Sequence, residues 1–124
     1  MKELLLKRCQ KCGAVVEVLD DCKCPCGIQC CGEEMKEIIP NTVDAAVEKH
    51  VPTYEVKGDE ILARVNHVMD EDHYIEWLGI SYDNRIGKVF FKPGESPEAT
   101  FKYVKGSTLY AYCNKHLLWT KEVE

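Results

Sequence analysis

Two residues in the last part of the chain, Cys113 and His116, form a Cys-x-x-His pair of soft and borderline metal ligands. One such pair is a weak signal, because a buried free cysteine near a surface histidine is the more common arrangement. The chain has only three further histidines, His50, His67 and His73, and each lies where we expect the end of a loop. If the fold brings these loops together, four neutral imidazoles and one thiolate would suit a transition metal, iron above all.

The other seven cysteines fall between positions 9 and 31 and offer a second set of ligands. Cys9-x-x-Cys12 followed by Gly13 is typical of a metal-binding turn, in which the glycine lets the backbone fold beneath two sulfurs. The adjacent pair Cys30 and Cys31 could close a tetrahedral four-sulfur site. Spacing alone leaves open iron, a zinc ribbon and plain disulfides. Three more thiols lie in the same stretch: Cys22, Cys24 and Cys26.

The composition is that of a globular chain, with 124 residues, of which 45% are hydrophobic and 30% charged. A net charge of -5 without any basic block argues against nucleic acid as a partner. No apolar run is long enough to span a bilayer, and the first residues lack the apolar core and cleavage site of a signal peptide. We therefore expect a cytoplasmic protein without a membrane partner, in which the clustered cysteines bind metal instead of forming disulfides.

Short runs of β-branched and aromatic residues follow the cysteine-rich stretch and alternate with turn signals. Turns every 8 to 12 residues or so are typical of an antiparallel β-sandwich. We predict an all-β chain with a small metal module at residues 1–37 and a sandwich at residues 38–124. The predicted sandwich strands cover residues 54–56, 61–65, 74–82, 88–91, 99–104, 108–112 and 117–123.

These motifs together resemble the desulfoferrodoxins, a family of two-iron superoxide reductases. The segment Cys9-x-x-Cys12 and the later Cys30-Cys31-Gly32-Glu33-Glu34-Met35 resemble the desulforedoxin module of that family. The remaining motifs look like its neelaredoxin-like catalytic domain: Glu48-Lys49-His50-Val51-Pro52, the segment from His67 to Trp77, and Cys113-Asn114-x-His116-x-x-Trp119. The resemblance covers nearly the whole chain, and it implies a seven-stranded immunoglobulin-like sandwich that reduces superoxide to hydrogen peroxide.

The resemblance also implies roles for individual residues. It makes Cys113 the axial ligand of a catalytic iron, with four equatorial imidazoles from His50, His67, His73 and His116. It further implies that Lys49 supplies a positive field for superoxide and that Glu48 closes the open position once the iron is oxidised. From residue types alone, Glu48 and Lys49 would be an ordinary solvated charge pair.

Three cysteines depart from the family pattern, which has a glycine-rich or polar turn at Cys22, Cys24 and Cys26. We predict a single iron held by Cys9, Cys12, Cys30 and Cys31, with a 4Fe-4S cluster that uses a different subset as the alternative. The resemblance implies a rubredoxin-like electron donor, and we also expect a homodimer. The rival functions are a zinc-ribbon-type binding or structural protein and a superoxide dismutase.

Overall fold

A computed structural model describes residues 4–124, and their contacts form two units that meet between Ile39 and Pro40 in the sequence. The first three residues of the predicted metal module lie outside the described residues. Residues 4–124 contain twelve strands and one 3-10 helix, η1 (Val47–Lys49), so the predicted all-β class is confirmed. None of the described helical structure is long and apolar enough to cross a membrane.

The N-terminal unit is built from five very short strands: β1 (Leu6–Arg8), β2 (Val15–Glu17), β3 (Gln29–Cys30), β4 (Glu33–Glu34) and β5 (Lys36–Glu37). Strand β1 pairs antiparallel with both β2 and β5, whereas β3 and β4 form a separate hairpin. The hairpin turns through Cys31 and Gly32, whose φ angles of 54° and 77° are both positive. A two-residue type I′ turn requires this backbone, and it presents the Cys30-Cys31 pair at a hairpin tip.

The second unit is a sandwich of seven strands: β6 (Thr53–Lys57), β7 (Glu60–Arg64), β8 (Ile75–Tyr82), β9 (Arg85–Phe90), β10 (Glu98–Lys102), β11 (Thr108–Cys113) and β12 (Leu117–Glu122). One antiparallel sheet has the order β10-β7-β6 and the other has the order β12-β11-β8-β9. Side chains of both sheets meet in the core, where Ile61 and Ala63 of β7 pack with Ile80 of β8 and Leu109 of β11. The predicted immunoglobulin-like sandwich is confirmed.

The outer face of the four-stranded sheet is covered by aromatic side chains. Trp77 and Tyr112 are paired across β8 and β11, and their rings stack with centroids 5.7 Å apart and an interplanar angle of 5°. Gly79 leaves room for this arrangement, because a Cβ there would lie 2.9 Å from the carbonyl oxygen of Gly87 and 3.0 Å from the Trp77 ring. Burial on both faces explains why β8 is apolar along nearly its whole length.

Four chain segments at the ends of these elements carry the predicted ligands. His50 ends η1, His67 lies in the loop after β7, and His73 lies just before β8. Cys113 is the last residue of β11, where an irregularity shifts the register with β8, and His116 lies in the tight turn into β12. Such irregularities re-aim side chains at the end of a strand pair.

Candidate metal centre

The structure brings together all five of the residues singled out in the second unit. The ligand atoms of His50, His67, His73, Cys113 and His116 all lie within 4.8 Å of one another. An ion with bonds of about 2.0–2.3 Å places opposite ligands about 4.0–4.6 Å apart. The spacing of the five donor atoms therefore suits one metal ion at their centre.

The four imidazoles form a closed ring around that centre. Successive rings meet edge to face, with centroids 4.8 Å apart for His50 and His67, 4.7 Å for His67 and His73, 5.2 Å for His73 and His116, and 4.8 Å for His116 and His50. Nε2 of His50 lies 3.0 Å from Nδ1 of His116. The Sγ atom of Cys113 lies 3.4 Å from Nε2 of His67 and 3.9 Å from Nδ1 of His116. One sulfur and a ring of nitrogens thus face a common point.

Hydrogen bonds on the outer side of two rings fix which nitrogen faces inward. Nδ1 of His50 donates to the carbonyl oxygen of Ala46 at 2.7 Å, and Nδ1 of His67 donates to the carbonyl oxygen of Val68. These bonds keep the proton on Nδ1 and leave the Nε2 lone pair free for a metal. Nε2 of His73 is buried and has no hydrogen-bond partner among the described residues. A buried polar atom without a partner is costly, and a bound metal would satisfy it.

Burial shifts the pKa values of three of the five donors. It lowers the pKa of His67 and of His116, and the neighbouring imidazoles lower both further. These two rings are therefore neutral at pH 7, as metal ligands must be. Burial raises the pKa of the Cys113 thiol, although backbone N–H groups of Lys115 and His116 oppose the shift. In the absence of metal the thiol keeps its proton, and metal binding must displace it.

Asn114 links two of the ligand-bearing segments. Its Oδ1 accepts a hydrogen bond from the Tyr74 N–H at 3.0 Å, and its Nδ2 donates to the carbonyl oxygen of Asp72 at 2.9 Å. Its own N–H donates to the carbonyl oxygen of Tyr74 at 3.2 Å. His73 is thereby held against the turn that follows Cys113. The sequence did not predict that Asn114 positions these segments. The only sequence feature that could have indicated it is the tendency of asparagine side chains to hydrogen-bond to the backbone in turns.

Trp119 supports the centre from β12. Its ring stacks on His50 with centroids 5.0 Å apart and an interplanar angle of 28°, and its Nε1–H donates to the carbonyl oxygen of His116 at 2.9 Å. Trp119 is 2% exposed. A rigid, buried ring therefore restrains two candidate ligands that lie far apart in the sequence.

The remaining pair singled out in this unit, Glu48 and Lys49, lies beside the ligands and not among them. Both residues belong to η1, both are exposed, and both directly precede His50 in the chain. His50 is only 4% exposed and its N–H donates to the carbonyl oxygen of Val47 at 3.1 Å. The two charges are thus carried by the short helix that holds one of the ligands.

A second group forms in the N-terminal unit, where the ligand atoms of Cys9, Cys12, Cys30 and Cys31 also lie within 4.8 Å of one another. Sγ of Cys30 is 3.6 Å from Sγ of Cys12 and 3.9 Å from Sγ of Cys31. Hydrogen bonds lower the pKa of Cys9 to about 6, and the bond from the Cys12 N–H has the largest effect. Hydrogen bonds with neighbouring thiols, mainly that of Cys12, raise the pKa of Cys30 to about 12. Four sulfurs this close could hold an iron or a zinc ion.

The other three thiols of the N-terminal unit, Cys22, Cys24 and Cys26, are exposed and lie outside this four-sulfur group.

Comparison with known proteins shows that this chain is similar to desulfoferrodoxins and superoxide reductases over most of its length. The Desulfoferrodoxin family model matches residues 42–122. The desulfoferrodoxin of Syntrophotalea carbinolica is 38% identical over 125 residues, which cover 98% of each chain. The superoxide reductase from Treponema pallidum superposes with a TM-score of 0.69 at 29% identity, covering 98% of this chain and 100% of that one. The one-iron superoxide reductase from Giardia intestinalis gives a TM-score of 0.54 at 30% identity, covering 62% of this chain and 98% of that one.

Proposed function

Because the chain belongs to the desulfoferrodoxin family, we propose that it is a superoxide reductase, an oxidoreductase that reduces superoxide by one electron to hydrogen peroxide. The observation that carries the proposal is the convergence of four imidazoles and one thiol on a single point. A purely structural protein has no need of five such donors at one end of a sandwich. Solved relatives named as superoxide reductases support the same activity.

The five residues would hold a catalytic iron: His50, His67, His73, Cys113 and His116. Iron held by these residues would supply the single electron, since a thiolate donates electron density and neutral imidazoles add no charge. The backbone carbonyls of Ala46 and Val68 orient two of the imidazoles by accepting their Nδ1 protons. The N–H groups of Lys115 and His116 stabilise negative charge on the Cys113 sulfur. The protein thus contributes a neutral, pre-oriented set of donors around one anionic sulfur.

The two charged residues of η1 would act on the anions that enter and leave. Lys49 would attract superoxide to a chain whose net charge of -5 repels it, because only the local field matters at short range. Glu48 would approach the centre after oxidation and displace the product from it. Both roles follow from the resemblance to the family, and the exposed position of η1 next to His50 is compatible with them.

The N-terminal group would hold a second iron on Cys9, Cys12, Cys30 and Cys31, with a 4Fe-4S cluster as the alternative. This centre would relay electrons or stabilise its unit. An external donor of the rubredoxin type would then reduce the protein after each turnover.

The experiment that tests this function measures the balance of electrons and products. Purified protein is given a steady flux of superoxide together with an excess of a reduced one-electron donor. A reductase oxidises about one donor molecule and forms about one peroxide for each superoxide, and it releases no oxygen. Oxygen release that matches the peroxide, without donor oxidation, would identify a dismutase. Zinc in both centres, with no superoxide consumed, would identify a structural protein.

Lys49→Ala tests the electrostatic role. We expect roughly a twofold to tenfold slower reaction with superoxide and a flatter dependence on ionic strength, because the screened charge is gone. Pulse radiolysis across a salt series measures both. Glu48→Ala is the matched variant, since it removes the neighbouring negative charge and should keep the fast reaction. Equal rates and equal salt slopes for Lys49→Ala and the parent would remove Lys49 from the mechanism.

A further inference from the structure

The three cysteines outside the four-sulfur group lie on a loop that is anchored at both ends. At its start, Asp21 Oδ1 accepts bonds from Lys7 Nζ at 2.9 Å and from the Cys22 N–H at 2.7 Å. Near its end, Gln29 Nε2 donates to the carbonyl oxygen of Cys26 at 3.4 Å. The loop is therefore held in place while Cys22, Cys24 and Cys26 remain exposed to solvent.

Cys24 and Cys26 share a single tight turn within this loop. The Gly27 N–H donates to the carbonyl oxygen of Cys24 at 3.1 Å, which closes a β-turn with Pro25 at its second position. Proline fixes φ near the value that this position requires, so the turn is preformed. The Cys26 N–H points to Sγ of Cys24 at a distance of 3.4 Å. The two cysteines are thus held in the same turn, with the backbone of Cys26 against the Cys24 sulfur and both residues exposed.

The turn also makes the two thiols chemically unequal. Hydrogen bonds from the Cys26 thiol and the Cys26 N–H lower the pKa of Cys24, and the bond to Cys24 raises the pKa of Cys26. The thiolate is the reactive form of cysteine, so Cys24 is the better nucleophile and Cys26 keeps its proton. An exposed thiolate beside a second thiol is the arrangement found in redox-sensitive cysteine pairs.

We propose that Cys24-Pro25-Cys26 is a redox-active dithiol that reacts with hydroperoxides and closes to an intramolecular disulfide. The Cys24 thiolate attacks one peroxide oxygen, the O–O bond breaks, and hydroxide leaves, so that Cys24 becomes a sulfenic acid. The Cys26 sulfur then attacks the Cys24 sulfur, and the sulfenic hydroxyl leaves as water with the Cys26 proton. Two electrons pass from the sulfurs to the peroxide. If the chain reduces superoxide as proposed above, its own product is a source of the oxidant.

Peptide mapping of the intact, metal-loaded protein tests this proposal. Hydrogen peroxide is added directly, so the result does not depend on superoxide reduction and the two proposals can fail separately. After denaturation and alkylation, trypsin cuts after Lys23 and after Lys36, which separates Cys22 from Cys24 and Cys26. We expect the peptide of residues 24–36 to lose two hydrogen atoms, to carry alkyl groups on Cys30 and Cys31 only, and to regain both thiols after treatment with a reductant.

Three serine variants complete the test. Cys22→Ser is the control on the same loop and should still form the disulfide, although it replaces the sulfur that accepts from the Cys24 N–H at 3.4 Å. Cys24→Ser should lose it, and Cys26→Ser should stop at a sulfenic acid on Cys24 that dimedone traps. Full alkylation of Cys24 and Cys26 after peroxide, or a bridge from either of them to Cys22, Cys30 or Cys31, would overturn the proposal. Loss of bound metal from Cys24→Ser would also overturn it, because Cys24 would then be a ligand.

Discussion

At the scale of single residues, the centre depends on side chains that are not themselves ligands. Asn114 makes three hydrogen bonds that join the segment around His73 to the turn after Cys113. Residues that orient ligands in this way commonly change metal affinity by about 10- to 100-fold when they are removed. Asn114 is therefore a positioning residue for the centre.

Replacing Asn114 by alanine should weaken metal binding by about 10- to 100-fold, because His73 is no longer tied to the Cys113 turn. Asn114→Asp should lose less, since its carboxylate still accepts from the Tyr74 N–H although it cannot donate to Asp72. Asn84, an exposed residue of the β8–β9 turn, provides the matched control as Asn84→Ala. Competition with a chelator measures the affinities, and equal values for Asn114→Ala and Asn84→Ala would contradict the assignment.

The raised pKa of Cys113 predicts proton release when a metal binds. At pH 7 the thiol is protonated, whereas His67 and His116, with lowered pKa values, are already neutral and have no proton to lose. Metal affinity should therefore rise with pH up to the pKa of the thiol. Cys113→Ser should release about one proton fewer per chain than the parent. Calorimetry in buffers of different ionisation enthalpy gives the proton count, and an unchanged count would show that Cys113 does not lose a proton to the metal.

Residue types alone made the histidines and cysteines candidate ligands, because they are few in the second unit and clustered in the first. The choice of the two donor sets came from the resemblance to the desulfoferrodoxins. The supporting contacts could not be predicted. Asn114 and Asp72 are 42 positions apart, and Trp119 meets His50 across most of the unit. Such pairs depend on how the sheets pack, which no local pattern records.

At the scale of elements, the four-stranded sheet has little room for a larger side chain where β8 lies close to β9. A Cβ at Gly79 would lie 2.9 Å from the carbonyl oxygen of Gly87 and 3.0 Å from the Trp77 ring. The β8–β9 pairing or the stack of Trp77 on Tyr112 would have to shift to admit it. Strain of this kind in a packed region typically costs about 1–3 kcal/mol.

Gly79→Ala should accordingly lower the free energy of unfolding by about 1–3 kcal/mol. Gly87→Ala is a matched control on the adjacent strand, because a Cβ there meets nothing within 4 Å and its effect should stay within about 0.5 kcal/mol. Denaturant unfolding of the metal-loaded proteins compares the two. A loss for Gly79→Ala no larger than that for Gly87→Ala would show that the sheet accommodates the methyl group.

The seven sandwich strands were predictable because each is a run of β-branched and aromatic residues between turn residues. Asp83, for example, has a φ of 50° at a turn that was expected there. The N-terminal unit was less predictable. Its strands are only two or three residues long, and only β2 lies in a mostly apolar run, residues 14–19, of the kind that predicts a strand. The helix η1 has only three residues, which is too short to show a helical period in the sequence.

At the scale of the whole molecule, each donor set lies entirely within one unit. All four sulfurs of the N-terminal group belong to the unit that ends at Ile39, and all five donors of the other group belong to residues 40–124. No ligand is shared. The two centres should therefore be separable by substitution.

Cys12→Ser should disturb the N-terminal centre and leave the reaction with superoxide within about twofold of the parent rate, because the two donor sets share no residue. His116→Ala is the opposite variant and should abolish that reaction. Pulse radiolysis of the fully reduced proteins measures the single-turnover rate without need of a donor. A large loss of rate in Cys12→Ser would show that the two units depend on each other.

The spacing of the two donor sets along the chain also has a consequence for synthesis. The N-terminal set is complete once Cys31 has been added, whereas His50 meets His116 across 66 positions. A ribosome adds residues in one direction, and N-terminal units generally fold first. The four-sulfur centre can therefore take up its metal on the nascent chain, while the histidine centre must wait until the turn into β12 has been made. All four sulfurs of the N-terminal set are thus present earlier in translation than the full set of five donors in the second unit.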